Sequence, residues 1–126
     1  MPGFQADVMG SGIPALAAAA INGSGQAAQT ATGSNQATAF ALTASSTEFT
    51  TVAASTGAIL PAPGGRVNSG DILAVYNMGA NTLTVYPPVG FKIMLAATNA
   101  GVSVASGKSA LFGARGDGNY FSFISA

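Results

Sequence analysis

The side chains able to do chemistry in this chain are few. They are the carboxylates Asp7, Glu48, Asp71 and Asp117, the cations Arg66, Lys92, Lys108 and Arg115, and scattered serines. Histidine and cysteine are absent. That removes the thiol nucleophile, the thiolate and imidazole metal sites and the commonest general base. No two carboxylates are adjacent in sequence, so paired-carboxylate hydrolysis would need distant residues to converge, and tryptophan, frequent in carbohydrate sites, is missing as well. Asp117 and Asn119 could hold calcium weakly with backbone carbonyls, but both are also what a tight turn requires.

Several short strings imitate functional motifs. Gly101-Val102-Ser103-Val104-Ala105 has the spacing of a nucleophile elbow, yet an elbow needs a strand-to-helix turn and a histidine, and this stretch reads as a plain strand. Lys108 and Ser109 are neighbours, so on a strand they point to opposite faces and cannot act as a Ser–Lys pair. Gly10-Ser11-Gly12-Ile13-Pro14-Ala15 loosely matches a dinucleotide fingerprint, but Pro14 interrupts it and no acid follows about 20 residues on. Arg115-Gly116-Asp117 spells the integrin tripeptide, and Gly116-Asp117-Gly118-Asn119 is equally a turn built from residues that tolerate positive φ. The chain is thus expected to be no enzyme, with no catalytic, cofactor-binding or metal-binding residue. Tyr76, Tyr86 and Tyr120 are expected to cover strand faces or subunit contacts.

Composition narrows the class further. Of 126 residues 48% are hydrophobic and 6% charged, with formal net charge zero. An ordinary soluble domain is about 25% charged. A surface so poor in charge is expected to be covered by other protein. The four cations are single and scattered, which argues against nucleic acid as a partner. Apolar stretches such as Ile13 to Ile21 fall short of the roughly 20 residues that span a bilayer, so no membrane partner is expected. No basic secretory start is present, and the chain reads as soluble and made in the cytosol.

Two regions follow from the pattern: an Ala/Gly/Ser-rich N-terminal arm over 1–36 and a β domain over 37–126. The arm has few large apolar side chains and is expected to be extended and mostly irregular, laid on a neighbouring subunit. Within it, Pro14 followed by Ala15 to Ala20 predicts a short helix that stops at Asn22-Gly23. Past Ala37, short alternating runs predict strands over Thr38 to Thr43, Thr47 to Ala53, around Ile59-Leu60, over Gly101 to Ala105, and over Ser109 to Ala114 with Asn119 to Ile124. The clearest signal is Gly70 to Pro88. Two alternating runs flank Met78-Gly79-Ala80 and predict a hairpin, with Val75 opposite Leu83 and Leu73 opposite Val85 on one apolar face. In the last pair Phe112 is expected opposite Phe121, and Ala110 opposite Phe123. The fold expected is all-β, a small antiparallel β-sandwich or jelly-roll-like barrel.

The second half also resembles a known group. Gly70-Asp71, the strand end Val75-Tyr76-Asn77, Gly79 to Pro88, Gly101-Val102-Ser103-Val104-Ala105 and Gly107-Lys108-Ser109-Ala110-Leu111-Phe112 are similar to a run in small tailed-bacteriophage virion proteins. Gly116-Asp117-Gly118-Asn119-Tyr120 is similar to their ending, a Gly-rich turn followed by an aromatic strand. The resemblance spans roughly residues 47 to 124 and rests on strands and turns. Its members often carry Trp in the last strand, where this chain has Tyr120 and Phe121. It implies a capsid decoration (cement) protein on the head surface of a virion, forming a homotrimer and partnering the major capsid protein. A head-fibre, tail-fibre or baseplate module is the alternative within the group. A receptor- or glycan-binding adhesin acting through the tips Asn77 to Asn81 and Arg115 to Asn119 is the alternative outside it. The expected contact residues are Phe4, Ile13, Leu16 and Ile21 on the arm and Met78, Thr82, Thr84 and Tyr86 on the hairpin.

Overall fold

The computed structural model describes residues 25–62, 67 and 69–125. Phe4, Ile13, Leu16, Ile21 and the helix expected after Pro14 lie outside them. The described residues form nine strands and no helix: β1 (Gly25–Thr30), β2 (Phe40–Ala41), β3 (Ser46–Thr51), β4 (Gly57–Ile59), β5 (Ile72–Asn77), β6 (Leu83–Tyr86), β7 (Val102–Val104), β8 (Ser109–Ala114) and β9 (Tyr120–Ile124). The described residues are thus all-β, as the alternating runs predict.

The strands make two sheets, ordered β1-β3-β5-β8-β9 and β2-β4-β6-β7, neither closed into a barrel. Over the first six strands the chain changes sheet at every connection, so each strand lies parallel to the one two places before it. Gly25 pairs with Ser46 and Ser46 with Ala74 in one sheet; Phe40 pairs with Ala58 and Ala58 with Val85 in the other. The polypeptide therefore winds as a coil whose turns stack edge to edge. It then reverses: β7 runs antiparallel to β6, β8 to β5, and β9 to β8. The sheets are mixed, which corrects the antiparallel arrangement expected from the short runs.

The expected Gly70 to Pro88 hairpin is absent for the same reason. β5 and β6 belong to different sheets, and the segment between them crosses over. Leu73, Val75, Leu83 and Val85 are all buried as predicted, but they belong to opposite sheets of one core instead of pairing side by side. Alternation identifies the inward residues and is silent on which strand lies next to which. Asn77 decides the matter locally. Its buried side chain donates from Nδ2 to the Asn81 carbonyl at 2.8 Å and accepts the Gly79 N–H at 3.0 Å, which holds the crossing. The crossings stack closely: Asn81 Nδ2 donates to the Val52 carbonyl at 2.9 Å, and a Cβ on Gly79 would lie 2.7 Å from Val52.

Residues 25–30 form a strand where composition predicts an irregular segment. β1 holds its place through parallel backbone pairing with β3, interrupted between Gln26 and Gln29, where Ala28 takes φ 58° and its N–H donates to Glu48 Oε1 at 3.2 Å. The core combines Phe49, Leu73, Val75, Ala110 and Phe112 of one sheet with Ala58, Leu83, Val85 and Val104 of the other, and takes in Ile93. Phe40 meets Phe49 edge-on, centroids 5.3 Å apart, and each fully buried aromatic or branched chain contributes about 1.5–3 kcal/mol.

Candidate assembly interface

The outer face of the five-stranded sheet is built by alternate residues of three strands. On β5, Leu73, Val75 and Asn77 point inward, which leaves Ile72, Ala74 and Tyr76 outside. On β8, inward Ala110, Phe112 and Ala114 leave Ser109, Leu111 and Gly113 outside. β9 turns Tyr120 in and Phe121 and Phe123 out. Pairing sets these in rows: Ile72–Gly113–Phe121, then Ala74–Leu111–Phe123, then Tyr76–Ser109. Phe123 is 76% exposed, Ile72 58%, Phe121 54%, Leu111 43% and Tyr76 40%. Large apolar side chains gathered on one sheet face make it a candidate contact surface, whereas scattered ones need no explanation.

This face corrects the expected register of the last two strands. Phe112 pairs with Ser122 and Ala110 with Ile124, one residue from the predicted match, and a slip of one transfers Phe121 and Phe123 from the core to the outside. The turn explains it. Arg115 N–H donates to the Asn119 carbonyl at 3.1 Å, so the loop runs through Asn119, with Gly116 at φ 91° and Gly118 at φ 101°. Asn119 Oδ1 accepts the Lys92 N–H at 3.0 Å, and Met94 N–H donates to the Tyr120 carbonyl at 2.8 Å. The segment around Ile93 thereby runs along β9, burying Ile93 and leaving Met94 and Leu95 exposed.

Charge lies at the margins. The Arg115 guanidinium lies 5.4 Å from the Phe121 ring centre and 3.8 Å from Asp117 Oδ2. The Asn119 backbone N–H, at 3.0 Å from Asp117 Oδ1, holds that carboxyl below its usual range, with Arg115 adding to the effect. Glu48 stands on β3 next to Tyr76. The Asp117 carboxylate is therefore occupied in shaping its own turn.

The predicted contact residues fall elsewhere. Met78 and Thr82 are exposed on the β5–β6 crossing, while Thr84 and Tyr86 are half-buried on the outer face of the four-stranded sheet. There they overlie glycines: a Cβ on Gly57 would come 2.9 Å from Tyr86 Cε2, and one on Gly101 2.4 Å from Thr84 Cγ2. The fold brings none of these four to the apolar face. Leu111, Phe121 and Phe123 were missed because both faces of the last strands carry apolar residues. The pair of glycines flanking Asp117, each needing positive φ, was the signal of the longer loop.

Ser103 lies on regular strand β7 opposite Thr84, and the Ser109 N–H is bonded to Ser125 Oγ. Among the described residues no three carboxylates converge. No family model, no curated protein and no solved structure matches the chain.

Proposed function

We propose that this chain is a structural virion protein, a capsid decoration (cement) protein that stabilises a phage head by bridging neighbouring capsid subunits. The two sheets and their shared core are read as a small sandwich serving as an assembly piece. The observation that carries this is the outer face of the five-stranded sheet, where Ile72, Leu111, Phe121 and Phe123 stand in water on a chain with only four basic and four acidic residues. Such a surface gains its stability from association, so the assembled state is favoured by mass action. The likeness of residues 47 to 124 to small phage virion proteins supplies the kind of assembly.

The adhesin alternative has weaker support. Ile72 pairs with Gly113 while the Asn77 N–H bonds to the Lys108 carbonyl, so the crossing after β5 and the turn after β8 lie at opposite ends of the sheet. They cannot form one binding tip.

The test is the heat stability of expanded heads stripped of this protein, measured with and without added chain. Addition is expected to raise the temperature of disruption by several degrees. Heads that bind none of it and break at the same temperature would refute the proposal.

A further inference from the structure

We propose that the outer face of the five-stranded sheet is closed by the same face of another copy of this chain, with Glu48 of one copy meeting Arg115 of the other. This rests on the reading of the chain as an assembly protein and names the partner of that face.

The face is suited to a copy of itself. Its central rows, Ile72–Gly113–Phe121 and Ala74–Leu111–Phe123, carry no charge. The charges at its margins are diagonal in position: Glu48 beside Tyr76 at one corner, and at the other Arg115 over Phe121, its guanidinium 3.8 Å from Asp117 Oδ2. When a face packs on its own copy about a two-fold axis lying in the contact plane and perpendicular to the line joining Glu48 and Arg115, each of these residues is carried over the other in the partner copy. Diagonal charges of opposite sign then meet twice. A single-signed margin would repel its copy, and a partner of different sequence would require no such match within one chain.

Both groups have capacity to spare. The Glu48 carboxylate accepts one N–H, from Ala28, and the Arg115 side chain is about half exposed, with one ion pair at 3.8 Å. A carboxylate offers about four acceptor sites and a guanidinium five donors. Gly113 completes the complementarity. Between Ile72 and Phe121 it leaves a slot without a side chain, the closest atom to a Cβ there being the Phe121 Cβ at 4.0 Å. Sheets packing at about 10 Å would seat a side chain of the facing copy, such as Leu111 or Phe123, in that slot.

Sedimentation equilibrium of the full chain, without capsid protein, tests the proposal. The wild type is expected to associate at micromolar concentration, and Phe123→Lys to be monomeric with an unchanged circular dichroism spectrum, because that side chain already faces water. Glu48→Arg and Arg115→Glu should each weaken association about tenfold or more, and the double exchange should restore it to within a few fold. A monomer at every concentration, association indifferent to Phe123→Lys, or a double exchange no better than the singles would overturn it. The two proposals fail separately: a monomer that still stabilises heads refutes only the face pairing, and a chain that self-associates through this face but leaves heads unaffected refutes only the decoration role.

Discussion

Asn77 on β5 donates from Nδ2 to the Val104 carbonyl of β7 at 2.8 Å, a buried hydrogen bond that ties one sheet to the other. The same amide holds the crossing through Asn81 and Gly79. Truncation would leave buried carbonyls and an N–H without partners, each costing about 1–3 kcal/mol. Asn77→Ala is therefore expected to lose about 3 kcal/mol or more by urea unfolding. Asn77→Asp should be comparably weak at pH 7, where its carboxylate would face two carbonyl oxygens. It should recover relative to wild type as pH falls toward about 4, because only the protonated acid can donate.

Thr47 presents the opposite case. It is fully buried on the inner face of β3, and its Oγ1 has no hydrogen-bond partner. Removing an unpaired buried hydroxyl while keeping the branched shape removes a desolvation cost, so Thr47→Val should stabilise the fold by about 1 kcal/mol. A rise in the urea midpoint at constant slope would show it.

Tyr120 sets an alkaline limit. Its hydroxyl donates to the Pro61 carbonyl at 2.7 Å, and burial, with the negative charge of Asp71 second, pushes its pKa up to about 12. The folded state thus retains a proton that an unfolded tyrosine releases near pH 10. This contribution is complete below about pH 10 and is lost as pH rises through about 12, at a slope of at most about 1.4 kcal/mol per pH unit. Tyr120→Phe should cost about 1–2 kcal/mol at neutral pH, flatten the loss between pH 10 and 12 and remove the last-titrating tyrosinate absorbance.

Two glycines with positive φ should respond unequally to alanine. At Gly118 (φ 101°) a Cβ would lie 2.3 Å from the Phe91 ring, so strain and collision add, and Gly118→Ala should cost about 3 kcal/mol or more. At Gly107 (φ 77°) nothing lies within 4 Å, and Gly107→Ala should cost only about 1 kcal/mol. Thermal unfolding of the two variants side by side reads the difference.

The inward residues of β5, β6 and β8 were legible in the sequence, and those of β9 and the path of the chain were not. Alternation marks Leu73, Val75, Leu83 and Val85 as buried whether β5 and β6 pair as a hairpin or cross between sheets, because both arrangements bury the same faces. What separates them is the inward turn of Asn77 and its bonds to Asn81, Gly79 and Val104, and these include partners distant in sequence. β1 escaped notice because Gly25 to Thr30 holds no large apolar residue and owes its place to backbone pairing with β3. The apolar outer face was hidden by a register shift of one residue at Arg115 to Asn119, which exchanged inside for outside along β9.

A decoration role on the head is open to electron cryomicroscopy of the particle with the chain labelled. Density in hundreds of copies on the outer head surface, spanning neighbouring capsid subunits, is the expected result. A few copies at the tail or baseplate, or particles that lack the chain altogether, would contradict it.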